Sequence, residues 1–222
     1  MRFLLYKDLV TELWLFFLYN NYNMPDKKPS VKRTRRTDHK MTLADYIRKH
    51  SPIKAGLRIP DEDKPLAKFN KIMNRLYLGN FQAAKDKDFF KKKNIRAVLN
   101  CSRDIPNHFA NNRDIEYMRI PVEDSLKQKD YDLMFDFMPV IVAFIHKHIA
   151  VQKNNILVHC WAGRQRSAIS VAVYLVDKYG LDPKEACKVV MDKRPEAFHF
   201  GKSLNFDQAL NKYYRTYKKN KP

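Results

Sequence analysis

Acidic residues are in short supply in this chain. Its 222 residues carry 24 Asp and Glu against 43 Lys and Arg, a formal charge of +19. That imbalance favours acidic partners, whether phosphorylated proteins, nucleic acid or an anionic surface, without choosing among them. Cysteine is scarcer still, with Cys101, Cys160 and Cys187 alone. Three cysteines at such spacing make neither a disulfide framework nor a zinc motif. The seven histidines are scattered and join no Cys, Asp or Glu cluster of metal-ligand spacing, so neither metal nor cofactor is expected. No internal repeat is found. No apolar run reaches the ~20 residues of a membrane-spanning helix, so no transmembrane segment is expected.

What is present is an ordinary globular composition, 45% hydrophobic, in a length that suits one domain plus an extension. Residues 1–23 contain the apolar stretch Leu13–Tyr19, interrupted upstream by Lys7, Asp8 and Glu12 and closed by Pro25. A helix docked on the domain, or a translated leader ahead of a start at Met24, fits it better than an interfacial anchor, and no cleavage site marks a signal peptide. Residues 24–70 read as a basic, largely irregular linker: Lys27–Lys40 is a polar basic tract, and Pro52, Pro60 and Pro65 break the connector after it. Charge is not confined to this extension, since residues 1–70 carry +7 and residues 71–222 carry +12.

From residue 71 to 222 the pattern alternates. Arg75–Leu78, Ile95–Asn100, Ile115–Val122 and Asn155–Val158 predict strands. Phe81–Lys93, Tyr131–Ala150, Ser167–Tyr179 ending at Gly180, a helix opened by Asp182-Pro183-Lys184-Glu185, and Phe206–Lys219 predict helices. Strands separated by helices imply an α/β domain with a central, mostly parallel sheet flanked by helices, and ligands at the C-terminal ends of the strands. The Met-rich and aromatic stripes are core.

One such strand end carries the feature that decides the functional class: His159-Cys160-Trp161-Ala162-Gly163-Arg164-Gln165-Arg166-Ser167. A loop between a strand and a helix N-terminus wraps backbone N–H groups around a point where the helix dipole favours negative charge, which makes an anion cradle. The same field and a nearby cation lower the pKa of a thiol from its usual ~8.5, so a cradle that binds phosphate also activates Cys160 as a nucleophile. Arg166 offers a planar fork that matches two phosphoryl oxygens, which lysine does not. Gly163 permits backbone geometry closed to residues with a Cβ. Ser167 can donate a hydrogen bond to the thiolate. A buried cysteine is often only a small hydrophobe, but cysteine, glycine, arginine and serine at these offsets speak against that reading.

The loop resembles the His-Cys-x-x-Gly-x-x-Arg-Ser signature of protein tyrosine phosphatases. Arg75-Leu76-Tyr77-Leu78-Gly79-Asn80, Val98-Leu99-Asn100-Cys101-Ser102 and Ile120-Pro121-Val122-Glu123-Asp124-Ser125 are similar to the dual-specificity branch in type and order, over Lys71 to Lys219. The resemblance implies a metal-free enzyme that hydrolyses phosphotyrosine and phosphoserine or phosphothreonine in proteins through a phosphocysteine. Cys160 would be its nucleophile, Arg166 would hold the phosphoryl group, and Ser167 would stabilise the thiolate. Asp124 would be the general acid and base, with Glu123 as a neighbouring competitor better read as a solvated residue. His159 would orient the loop from behind, and Trp161, Ala162, Gly163, Arg164 and Gln165 would complete the substrate-binding loop. A thiolate requires a reducing compartment, so the cytoplasm or nucleus is expected. The abundance of lysine, asparagine and tyrosine fits an AT-rich genome such as that of a large DNA virus, in which case host cytoplasm or virion applies.

The chain departs from the branch in places. Gln165 stands where a small serine or glycine is usual. Arg164 adds a second loop cation, either solvated or widening specificity toward more highly charged substrates. Trp161 either packs on the rim or offers a stacking face. Asn205, Phe206, Gln208 and Leu210 follow Arg194-Pro195 at altered spacing, so that region is assigned no role. Cys101, at a strand end beside the loop, reads as a plain buried thiol before a redox partner. Three alternatives stay open. An RNA 5′-triphosphatase uses the same loop, although Ser167 and the acid segment speak against it. A phosphoinositide phosphatase would carry loop lysines, one at the place of Trp161. A phosphoprotein-binding module would lack one of Cys160, Arg166 and Asp124.

Overall fold

A computed structural model describes residues 67–125, 127–198 and 206–218. The readings for residues 1–23, for most of the 24–70 linker and for Asn205 fall outside the described residues. The sheet has five strands: β1 (Phe69–Met73), β2 (Leu76–Gly79), β3 (Ile95–Asn100), β4 (Glu116–Arg119) and β5 (Asn155–His159), in the order β1-β2-β5-β3-β4. The inner strands β2, β5 and β3 are almost wholly buried, which is why they read as continuous apolar runs rather than alternating ones. They and β4 run parallel. The strand predicted over Ile115–Val122 is shorter than expected, because β4 is a half-exposed edge strand and the chain leaves the sheet after Arg119.

β1 was not foreseen. It pairs antiparallel with β2 through a tight turn at Asn74-Arg75, Arg75 taking the left-handed conformation. Phe69 and Asn70 lie opposite Gly79 and Leu78, so the expected boundary between linker and domain at residue 71 falls inside this strand. The mixed polarity of Phe69-Asn70-Lys71-Ile72-Met73 hid it, since an edge strand buries little.

Among the described residues, seven helical segments connect and cover the sheet. The single helix expected over Phe81–Lys93 is two: α1 (Phe81–Ala84), capped by Asn80, and α2 (Lys87–Lys93), capped by Asp86, whose carboxylate accepts the Phe89 N–H at 3.0 Å. Each cap ends one direction and starts another. α3 (Gln128–His146) continues into a π-turn at Lys147–Val151. It is long and apolar enough to cross a membrane, yet packs on α4 (Arg166–Tyr179) and α6 (Asp207–Tyr217) as a core helix. Gly180 closes α4 at φ 70°, and α5 (Pro183–Lys193) opens with the expected Asp182–Glu185 capping box.

Side chains alternate across each strand. On one face Tyr77, Val98 and Leu157 pack with Phe89 and Phe90 of α2 and with Phe69. On the other, α4 lies against β5 and β2, buried from Arg166 to Val176. The Tyr213 hydroxyl donates to the Asp177 carboxylate at 2.6 Å and ties α6 to α4. The crossover from β5 to α4 therefore places the 160–165 loop at the C-terminal edge of the sheet, above a helix that starts fully inside the core.

Candidate active site

Cys160 follows β5 directly and is 2% exposed. Its sulfur accepts hydrogen bonds from the Gly163 N–H at 3.3 Å and the Ser167 hydroxyl at 3.1 Å. Burial opposes ionisation, but the charge of Arg166, the Ser167 hydroxyl and the backbone N–H groups of Ser167 and Arg164 outweigh it, and the thiol sits below its ordinary pKa. The sulfur is thus the focus of one cation, one hydroxyl and several amides at a helix N-terminus, which is what an attacking thiolate and a bound phosphoryl group both need.

The first helical residue of α4, Arg166, is buried, and one guanidinium nitrogen donates to the Val122 carbonyl at 3.2 Å. Its Nε stands 3.8 Å from the Asp124 carboxylate. Asp124 is thereby brought to the mouth of the cradle from the segment after β4. Its neighbours anchor that segment: the Ser125 hydroxyl donates to the buried Asp130 of α3, and Glu123 turns outward to an exposed ion pair with Arg103 at 2.6 Å. Arg103 and Lys129 hold the Glu123 carboxyl below the usual carboxylate range. A carboxyl held ionised on the surface in a pair with Arg103 is poorly suited to donate a proton.

The other loop residues have packing roles that sequence reasoning did not separate. Gly163 has φ 68°, and a Cβ there would stand 2.5 Å from the Gly79 carbonyl oxygen and 2.9 Å from Arg194 Nη2. Gly163→Ala should therefore destabilise the fold by about 2–4 kcal/mol, adding the left-handed penalty to overpacking. A fall in urea midpoint at unchanged slope would show it. Trp161 is half-buried and stacks on Phe81, ring centroids 4.7 Å apart, while its carbonyl accepts the Phe81 N–H at 3.0 Å. Of the two readings for Trp161, packing on the rim is the one observed. Arg164 is 1% exposed, so of its two readings the solvated one is corrected: its guanidinium is enclosed by the domain, and its carbonyl accepts the Phe198 N–H. Gln165 is also buried and forms the N-cap position of α4. Ala162 lies buried, with its carbonyl turned to Arg194.

Behind the loop, His159 is 1% exposed, and burial drives its imidazole pKa down to about 3 against a bond with the Cys160 backbone. It is a neutral ring under the loop rather than a second acid. Cys101 is completely buried, 3.4 Å from the Ser170 hydroxyl, and burial raises its thiol far above the ordinary value.

Sequence reasoning missed Arg194. Fully buried, it donates to the Gly163 carbonyl at 2.7 Å, the Ala162 carbonyl at 3.1 Å and the Asn70 side chain at 2.6 Å, clamping the loop to β1. The Arg194-Pro195 pair was its only trace in the sequence. Arg119, on β4, does similar work on the neighbouring loop, donating to the carbonyls of Ser102 and Arg103 and to Asn107.

A family model described as the catalytic domain of dual specificity phosphatases matches residues 76–216, a stretch that contains every site residue above. The chain belongs to the dual specificity phosphatase family. It is 37% identical over 143 residues to dual specificity protein phosphatase Mpk3 of Drosophila melanogaster, and 32% identical over 143 residues to human dual specificity protein phosphatase 9. Those alignments take in 63% of this chain but only 34% and 36% of the relatives, so the chain spans about a third of the length of these curated relatives. Among solved structures, human DUSP28 superposes with a TM-score of 0.57 at 26% identity, over 68% of this chain and 95% of that one. A mouse dual specificity phosphatase complexed with zinc tungstate gives a TM-score of 0.57 at 27% identity, over 72% and 94%.

Proposed function

We propose that the chain hydrolyses phosphate monoesters of tyrosine and of serine or threonine in proteins, through a phosphocysteine on Cys160. The observation that carries this reading is the meeting at one point of a thiol held low in pKa, the buried Arg166 and Asp124. Attack by the thiolate forms an S–P bond while the P–O bond to the leaving oxygen breaks. Asp124, protonated at that moment, supplies the proton that turns a departing alkoxide or phenolate into an alcohol or phenol. Arg166 and the loop amides hold the phosphoryl oxygens throughout. In the second step a water attacks phosphorus, Asp124 takes its proton, and the thiolate leaves, stabilised by the hydrogen bond from Ser167. A thiolate in this role calls for a reducing compartment, so we place the activity in cytoplasm or nucleus.

The presence of Cys160, Arg166 and Asp124 together supports turnover rather than capture of phosphoproteins. The acid supports monoesters over triphosphate-ended RNA, because a diphosphate departs readily without a proton. Phosphate release from phosphotyrosine, phosphoserine and phosphothreonine peptides and from triphosphate-ended RNA, measured side by side, tests the choice. Release from peptides of both kinds is expected, with only a shallow salt dependence. Faster turnover of the RNA than of every peptide, weakening by ~10³ between 50 and 200 mM salt, would replace this reading with the RNA one.

A further inference from the structure

In a parallel sheet every strand begins at the same end, and here that end lies opposite Cys160. The turns that precede β2, β3, β4 and β5 meet there. The Arg75 carbonyl accepts the Ile156 N–H at 2.8 Å, the Asn155 side chain donates to the Lys93 carbonyl at 2.5 Å, and Arg96 pairs with Asp114 at 2.9 Å. These turns bring together Arg75, Lys91, Lys92, Lys93, Arg113 and Lys153, none of which makes an ion pair among the described residues. Of the carboxylates at this end, Asp114 is engaged by Arg96 and Glu116 by Lys147, while Asp182 and Glu185 form the capping box that opens α5.

Helix dipoles explain part of this. Each helix end attracts about one cation, and α2, α3 and α4 all end here. They do not explain Arg75 or Arg113, which precede strands. Nor do they explain why Arg75 and Lys153 occupy left-handed backbone, at φ 67° and 58°, where glycine or asparagine is the usual choice. Asn94, at φ 45°, is the third such residue at this edge. The end is also where apolar side chains protrude. Val151, 69% exposed, stands two residues before Lys153, and Tyr179, 52% exposed, is the last residue of α4 beside Lys178.

We propose that this face docks on an anionic lipid bilayer. Clustered cations attract acidic headgroups, and a protruding valine and tyrosine are the side chains that settle at the boundary between headgroups and acyl chains. A polynucleotide would use the cations but leave Val151 nothing to stack on. Docked in this way, the enzyme turns its catalytic loop away from the membrane, toward soluble substrates.

The test is co-sedimentation of the full-length chain with phosphatidylserine-containing vesicles, with pure phosphatidylcholine vesicles as reference. Changing Lys91, Lys92, Lys93 and Lys153 together to Gln should weaken binding by roughly 10²–10³, since each lysine near such a surface contributes about fivefold. The same four changed to Arg should still bind. Val151→Ser with Tyr179→Ser should weaken binding about tenfold, from the lost apolar contact. An equal charge change at Lys87, Lys188, Lys193 and Lys212 should leave binding within a few-fold of wild type. Equal losses in the two charge variants, no loss in the first, or, with duplex RNA tested in parallel, a first variant that loses RNA binding while vesicle binding stays intact would each overturn the proposal.

Discussion

Cys160→Ser should lower kcat by roughly 10⁵–10⁶, the scale seen when the nucleophile of a covalent mechanism is removed, while phosphopeptides still bind. The two effects separate because the site has two parts. The cradle is built from the Gly163 N–H, the start of α4 and Arg166, and Arg194 holds it in shape from behind. A serine oxygen removes none of these. What it lacks is acidity: the environment that holds the Cys160 thiol below its ordinary pKa acts on a group near 8.5, whereas a hydroxyl has no base beside it to remove its proton. His159 does not supply one, since it lies buried behind the loop and the Ser167 hydroxyl, not a ring nitrogen, contacts the sulfur. Single-turnover kinetics and phosphopeptide binding, measured on the same preparation, check both halves. Turnover within tenfold of wild type would remove Cys160 from the mechanism.

Asp124→Asn should slow hydrolysis of phosphoserine and phosphothreonine peptides by ~10²–10⁴, the usual weight of a general acid. The loss should shrink on an aryl phosphate whose leaving group barely needs a proton. The amide keeps the size of the side chain and its place near Arg166, so a loss that depends on the leaving group reports proton transfer rather than collapse of the segment. The control is Glu123→Gln, which breaks the surface pair with Arg103 and removes no proton donor from the site. It should cost less than tenfold, as exposed ion pairs contribute little. Equal losses for Asp124→Asn on all substrates would move the acid elsewhere. On the acidic side of its profile, activity should rise as the Cys160 thiol ionises, and this limb should fall below the range of an ordinary thiol.

The sequence was most legible where local pattern and burial coincide. β3, β5 and α4 are buried along their length, so their apolar runs announced them. The cysteine loop was legible because each residue type in it has a job set by chemistry, not by neighbours. β1 was obscured because an edge strand needs little apolar surface, and its register comes from Gly79 and Leu78 across the turn. Arg164 misled because arginines usually face water, and only the packed domain shows this one enclosed. Arg194 was illegible as a clamp because its partners, Gly163, Ala162 and Asn70, lie far off in the chain. No periodicity reports a contact of that range. The cationic edge was counted in the charge of the domain, but its concentration at one end required the strand order.

The central claim is that phosphate passes through Cys160, and rapid acid quenching during turnover of a phosphopeptide tests it most directly. Digestion and mass spectrometry of the quenched protein should find one phosphoryl group on the peptide that contains Cys160. The group should be lost in Cys160→Ser and accumulate further in Ser167→Ala, where the leaving thiolate has lost its hydroxyl donor. Turnover with no phosphoryl group on Cys160 at any time, or with one on another residue, would contradict the account.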